Sequence, residues 1–286
     1  MLEYIKTLII GIITGISAPL PVSSSGHFSF LNELLDFSDD TTTLSFYYSF
    51  FMVAFSSVII INLKELYSKT FRSFNKKQKN YKLRLWNLLM SLVVCILLFI
   101  PVPVLGKSLS DYFDAFFNSD GILNRLLLGF ATIISGLLLV VAVWYIKKGK
   151  SRSKKTVPVR AAARMYLYSS VAYVIPGASK VSLSAVNLVL SDVSPSVLLR
   201  EAYFYLAPQM LLINLVKLVF AAVKGVNFDT VSLAVGLVAV VIACFAVMSI
   251  VRKADSGKLL LIFSIYSVLF GAVILAQTIL PIISGI

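Results

Sequence analysis

Six apolar windows, residues 43–63, 86–105, 122–146, 202–223, 230–251 and 259–280, each run for about the 20 residues a helix needs to cross roughly 30 Å of hydrocarbon. Two further apolar stretches are broken in the middle. The first, Leu8 to Leu35, carries Pro19, Pro21, Ser23, Ser24, Ser25 and Gly26 at its centre; the second, Val171 to Leu190, carries Pro176, Gly177, Ser179 and Lys180. Each half is about 8 to 11 residues long, too short to cross alone. Proline has no backbone N–H and glycine leaves a helix cheaply, so each centre reads as an unwound loop between two half-helices. Such backbone survives at membrane depth only where protein or water surrounds it. The expected fold class is an all-α integral membrane protein with six transmembrane helices and two re-entrant helical hairpins; the bland alternative is that the hairpins are full, kinked spans.

The two broken stretches resemble each other. Laid together without a gap at an offset of 155, residues 16–35 and 171–190 share Pro21 with Pro176, Ser24 with Ser179, Ser29 with Ser184, Asn32 with Asn187, and Leu35 with Leu190. Three spans follow each hairpin. A hairpin that enters and returns does not change sides whereas three spans do, so the second unit is expected upside down relative to the first, an inverted-topology repeat. This predicts one membrane domain over 1–286, with repeat 1 at 1–146, a loop at 147–160, and repeat 2 at 161–286.

Composition and charge fit this pattern. The 286 residues are 58% hydrophobic and only 14% charged, against roughly 25% charged in soluble domains. The formal charge of +13 would suit a nucleic-acid binder, but 19 of the 26 Lys and Arg fall within 64–84, 147–164 and 252–258. That placement answers to topology, because basic loops stay on the cytoplasmic side. Segments 36–42, 106–121 and 224–229 hold seven aspartates against Lys107 and Lys224, and so belong outside with both termini. The expected location is a multi-pass position in the cell membrane, with no nucleic-acid partner. The first apolar piece has the length of a signal-peptide core, but proline follows Ala18 where cleavage would fall, so no removed signal is expected. Cys95 and Cys244 sit inside spans and read as packing residues.

Two hairpins entering from opposite faces bring their loops together near the midplane, with the N-terminus of each second half-helix facing the junction. Unpaired N–H groups and the positive end of the helix dipole suit an anion there, though capping alone would also account for the serines. Lys180 tips the balance, since an ammonium at membrane depth costs on the order of 3 kcal/mol and such residues line polar sites. His27, the only histidine, lies one turn into the facing half-helix and is a candidate proton carrier. Lys217, near the outer end of its span, reads as a snorkelling residue. The expected ligand is an anionic headgroup on a greasy tail, which phosphorylated polyprenols fit.

The runs "PVSSSGH" at 21–27, "PGASK" at 176–180 and "REAYFYLAP" at 200–208, with the late span "LLLIFSIYSVLFGAVIL" at 259–275, resemble the bacterial undecaprenyl-pyrophosphate phosphatase, or bacitracin-resistance, family. The resemblance covers nearly the whole chain. It implies hydrolysis of the terminal phosphate of a C55 polyprenyl pyrophosphate on the outer face of the plasma membrane, regenerating the lipid carrier for cell-wall precursors. By position it implies Ser24 and His27 as catalytic, with Ser23, Ser25, Gly26, Gly177, Ser179, Lys180 and Ser182 binding the phosphate.

The chain also departs from that pattern. The two family glutamates that precede the serines are Thr14 and Ala18, the motif arginine is Lys180, the serine after it is Val181, and an arginine of the last span is Ser267. Lysine lacks the planar fork that grips phosphate bidentately. A Mg²⁺ or Ca²⁺ cofactor of the family type therefore stays open, and no metal ligand is assigned. Glu33 lies about 240° around its helix from His27 and cannot share the site, and Glu201 reads as an interfacial partner of Arg200. Two functions follow: a membrane phosphatase acting on polyprenyl pyrophosphate, or a transporter or flippase for polyprenyl phosphate, which needs the anion site but no carboxylates. The number of subunits is not legible.

Overall fold

The structure is a computed structural model that describes residues 3–38, 40–72, 79–97, 121–149, 154–155, 157–226, 228–253 and 256–284. Eleven α-helices lie among the described residues: α1 (Glu3–Ser17), α2 (Ser24–Leu35), α3 (Thr41–Asn62), α4 (Lys64–Arg72), α5 (Lys79–Leu97), α6 (Gly121–Lys147), α7 (Val159–Val174), α8 (Lys180–Leu190), α9 (Leu198–Lys224), α10 (Thr230–Val251) and α11 (Ser256–Ser284). No strand occurs among those residues, only one backbone bridge between Lys154 and Val193.

Helices α3, α6, α9, α10 and α11 are long and apolar enough to cross a membrane, and each falls on one of the expected windows. The remaining window, 86–105, begins in α5 and runs beyond Leu97 into residues outside the described set. Large apolar side chains point outward along the long helices, among them Val219, Phe220, Ile242 and Leu269. In water that surface would be a standing cost. In lipid it is the solvent-facing side, so the protein is an all-α, multi-pass membrane protein.

The two broken stretches fold as helix–turn–helix units. Their first helices, α1 and α7, are longer than the apolar halves because they continue into polar ends carrying Glu3 and Lys6, or Arg160 and Arg164. Even so, the 15 residues of α1 rise only about 22 Å.

Helix packing relies on close approach, since lipid supplies no hydrophobic drive between helices. Gly11 and Gly15 lay α1 directly on α10, where a methyl group at either position would sit 2.6 Å from the carbonyl oxygen of Gly236 or Val240. Gly271 likewise brings α11 close to α6, where a methyl group would sit 2.8 Å from the Gly129 carbonyl oxygen. Helix α3 packs on α9, α5 on α7, and α6 on both α11 and α8. Cys244 is fully buried on α10; the side chain of Cys95 lies outside the described set.

Polar caps mark the starts of two spans. Asp40 accepts from the amides of Thr42 and Thr43 ahead of α3, and Asp229 accepts from Val231 and Ser232 ahead of α10. The hydroxyl and amide of Thr43 hold the Asp40 carboxyl below its ordinary range, and Ser232 does the same for Asp229. Glu201 differs from its expected interfacial place. It is fully buried and pairs with Arg84 of α5 at 2.6 Å, with Arg200 farther off at 3.5 Å. The helix turns its carboxylate inward because α5 brings a guanidinium to meet it, a partner 117 residues away that local spacing does not reveal.

Candidate active site

Both second half-helices begin on a serine cap. Ser23, in extended backbone, accepts from the Gly26 amide at 3.0 Å, and Ser179 accepts from the Ser182 amide at 3.2 Å. The caps therefore pair Ser23 with Ser179, one position off the gapless alignment, which pairs Ser24 with Ser179. In that alignment the helix before the second turn runs two residues further, to 174 against 17, and the turn after it is one residue shorter, 175–179 against 18–23, which leaves the second cap one position later.

The two turns meet. Ser179 Oγ donates to the Val22 carbonyl at 2.9 Å, and Ser182 Oγ donates to the Pro21 carbonyl at 2.7 Å. These carbonyls lie in a proline-interrupted turn, where no helical N–H comes round to receive them, so the facing unit supplies the donors. Tyr203 of α9 donates to the next such carbonyl, that of Pro19. Helix α6 braces the second turn: the Ser179 amide donates to Ser135 Oγ, and Thr132 Oγ1 donates to the Gly177 carbonyl, each at 3.2 Å. Gly177 has φ +86°, and a Cβ there would lie 2.3 Å from the Leu128 carbonyl oxygen. Both the dihedral and the space demand glycine.

His27 is 7% exposed and held on three sides. Its Nδ1 lies 2.6 Å from the Ser23 carbonyl, which accepts only, so Nδ1 carries the hydrogen. In the neutral ring Nε2 then holds the lone pair, and the Tyr266 hydroxyl, at 2.6 Å, donates to it. The imidazole stacks on Phe270 with centroids 4.1 Å apart. Ser24 Oγ lies 3.2 Å from the Tyr48 hydroxyl. Among the described residues no hydrogen bond joins Ser24 to His27, so each candidate catalytic side chain rests against a tyrosine instead.

Lys180 is buried as the first residue of α8, with its ammonium 4.6 Å from the centroid of the Tyr173 ring. Lys217 of α9 is half-buried. Among the described residues neither lysine has a carboxylate partner.

Of the expected site residues, Ser23, Ser179, Ser182 and Gly177 form the junction, with Gly26 inside the Ser23 cap and Ser25 3.4 Å from Ser23. Ser24 and His27 occupy the adjoining first turn of α2. Lys180 is bonded to neither of them. Sequence reading missed Tyr48, Tyr203, Tyr266, Thr132 and Ser135. Each is a hydroxyl in an otherwise apolar helix, a signal that something polar lies opposite, though not what.

Residues 7–273 match the family described as bacitracin resistance protein BacA. The chain belongs to that family. Similar family members include undecaprenyl-diphosphatase of Clostridium tetani, 25% identical over 99% of this chain and 100% of its own. Undecaprenyl-diphosphatase 1 of Clostridioides difficile is 27% identical over 96% of each chain. Undecaprenyl-diphosphatase of Bacteroides fragilis is 27% identical over 95% of this chain and 97% of its own.

Thr14 and Ala18 are both buried, on α1 and its turn. Among the described residues the Thr14 hydroxyl has no hydrogen-bond partner, and the oxygens that meet at the two turns are neutral hydroxyls and carbonyls. Among the described residues no three His, Cys, Asp or Glu side chains gather as ligands, and Glu33 is paired with Arg125. Divalent cations call for several oxygen donors that include carboxylate. The residues present do not fit one.

Proposed function

We propose that the protein hydrolyses undecaprenyl pyrophosphate to the monophosphate, recycling the lipid carrier of cell-wall synthesis. The observation that carries this reading is the junction itself: two helix N-termini joined serine to carbonyl, with Ser24 and His27 on the adjoining turn. Its chemistry agrees with the diphosphatase names of relatives matched end to end, which favour hydrolysis over transport.

In this reading the terminal phosphate sits at the N-termini of α2 and α8. The amides of Ser24 and Ser25, the hydroxyls of Ser23 and Ser25 and the ammonium of Lys180 hold its oxygens, while Ser179 and Ser182, bonded to the Val22 and Pro21 carbonyls, keep the two turns together beside it. Gly177 keeps the second turn close enough to take part. The attacking oxygen, Ser24 Oγ or a water, bonds to the terminal phosphorus and passes its proton to His27 Nε2, the atom bearing the lone pair, as Tyr266 releases it. The bond from that phosphorus to the bridging oxygen breaks, and polyprenyl phosphate leaves with the electron pair. If Ser24 attacks, water then cleaves the phosphoserine to free phosphate and restore the hydroxyl.

The topology proposed with this mechanism is six spans and two re-entrant hairpins in one membrane domain, with repeats 1–146 and 161–286 inverted about the membrane plane. Pairwise packing supports it. Corresponding helices of the two repeats lie against each other, α3 on α9 and α6 on α11, while α1 on α10 is mirrored by α7 on α5. The basic loops 64–84, 147–164 and 252–258 then face the cytoplasm of a plasma-membrane protein.

The test is phosphate release from undecaprenyl pyrophosphate by the purified protein. The wild type is expected to turn over, and Ser24→Ala and His27→Ala to lose at least about 100-fold, the scale of a general base or nucleophile. Wild-type rates in both variants would refute the assignment, and a phosphoserine trapped at Ser24 would identify the attacking atom.

A further inference from the structure

A cavity of about 770 Å³ opens at one end of the bundle, where α3 and α10 finish and α9 and α11 begin. Among the described residues its rim carries Lys64, Lys69, Arg200 and Arg252 against a single acid, Glu65. These cations come from three places, Lys64 and Lys69 from α4, Arg200 from α9 and Arg252 from the end of α10, yet converge on one hollow. Most of their charge is uncompensated. Arg252 donates to the carbonyl and side-chain oxygens of Asn62, both neutral. Arg200 is 3.5 Å from Glu201, whose nearer partner at 2.6 Å is Arg84. Among the described residues only Lys69 has a carboxylate to itself, that of Glu65, at 3.8 Å.

The wall below the rim is apolar, with Leu199, Met248 and Val251. It also includes Tyr203, the residue whose hydroxyl reaches the Pro19 carbonyl in the first turn. A basic rim over an apolar wall, at the end of membrane-spanning helices, has the polarity of a lipid's headgroup region. Its volume lies in the range of ligand sites, several hundred Å³, and a bare inorganic anion would leave the apolar wall unused.

We propose that this cavity binds the phosphate of an anionic phospholipid in the leaflet it faces, with the upper part of the lipid tail against Leu199, Met248 and Val251. The site is distinct from the junction of the two turns and stands whether or not that junction hydrolyses anything. Through Tyr203 the bound lipid lies one side chain from the first turn.

The test is native mass spectrometry of the whole protein released from micelles holding equal phosphatidylglycerol and phosphatidylcholine. The wild type is expected to retain phosphatidylglycerol selectively. At roughly 5-fold per cation near a membrane surface, Lys64→Gln loses about 5-fold of that selectivity, and Lys64→Gln/Arg200→Gln/Arg252→Gln about 100-fold. Lys64 is exposed, so its single substitution leaves the fold intact should the triple variant fail to assemble. Equal retention of the two lipids by the wild type, or undiminished selectivity in Lys64→Gln, overturns the proposal. So does protection against thermal unfolding by inorganic phosphate alone in phosphatidylcholine micelles, equal to that given by phosphatidylglycerol, which would assign the cavity to a free anion.

Discussion

Alanine at Gly177 separates two costs that usually arrive together. The protein holds a second non-helical glycine, Gly225, with φ +78° and nothing within 4 Å of where a Cβ would stand. Both positions charge alanine for the left-handed dihedral, about 1–2 kcal/mol. Only Gly177 adds a collision, its Cβ meeting the Leu128 carbonyl oxygen at 2.3 Å, where ordinary contact begins at 3.4 Å. That oxygen belongs to helix backbone and cannot turn aside, so the second turn must retreat by about 1 Å, a displacement of a size that costs on the order of 100-fold in rate when it falls on a catalytic constellation. The retreat also pulls on the bonds to Thr132 and Ser135, both already 3.2 Å long. Phosphate release and thermal unfolding are measured for Gly177→Ala and Gly225→Ala at a temperature where both stay folded. Gly225→Ala should keep the wild-type rate with a slightly lower midpoint, and Gly177→Ala should fall about 100-fold in kcat. Equal rates in the two variants would refute the reasoning, because the position of the second turn would then have no bearing on turnover.

Three further outcomes follow from the same geometry. Tyr266→Phe removes the hydrogen bond that must be broken before His27 Nε2 can take a proton, worth roughly 1–1.5 kcal/mol, so kcat should hold or rise by up to about 10-fold in steady-state assays, and a 10-fold fall would contradict the release of Nε2 by Tyr266. Arg84→Met leaves the Glu201 carboxylate buried with only a distant partner and should destabilise by about 3–5 kcal/mol, whereas Arg84→Met/Glu201→Leu should recover most of that loss in thermal unfolding. Chelation with EDTA should leave phosphate release within roughly 2-fold of its starting rate, since the turns offer neutral donors and lysines where a divalent ion needs carboxylates; restoration of a lost rate by added Mg²⁺ or Ca²⁺ would contradict this.

What was legible in the sequence was whatever depends on near neighbours. Windows of about 20 apolar residues gave the long helices to within a few positions, because hydrocarbon thickness dictates their length. Proline, glycine and serine at the centres of two shorter stretches marked both turns, and Ser23 and Ser179 are the caps that such serines make. What escaped were partners far along the chain. Tyr266 meets His27 across 239 residues and Tyr203 meets Pro19 across 184, and nothing in local periodicity selects one tyrosine from another. Glu201 looked interfacial for the same reason, its arginine lying on another helix. The one-residue offset between the caps was hidden because a gapless alignment cannot register that the second unit has a longer first helix and a shorter turn.

The central claim is that the junction of the two turns holds the terminal phosphate. An experimental structure of the protein with undecaprenyl pyrophosphate bound tests it most directly. The terminal phosphate is expected within hydrogen-bonding reach of the Ser24 and Ser25 amides, with the Lys180 ammonium turned from Tyr173 toward it. A phosphate found away from both turns, or turns drawn apart with the Ser179–Val22 and Ser182–Pro21 bonds broken by hydrocarbon side chains between them, would contradict the account.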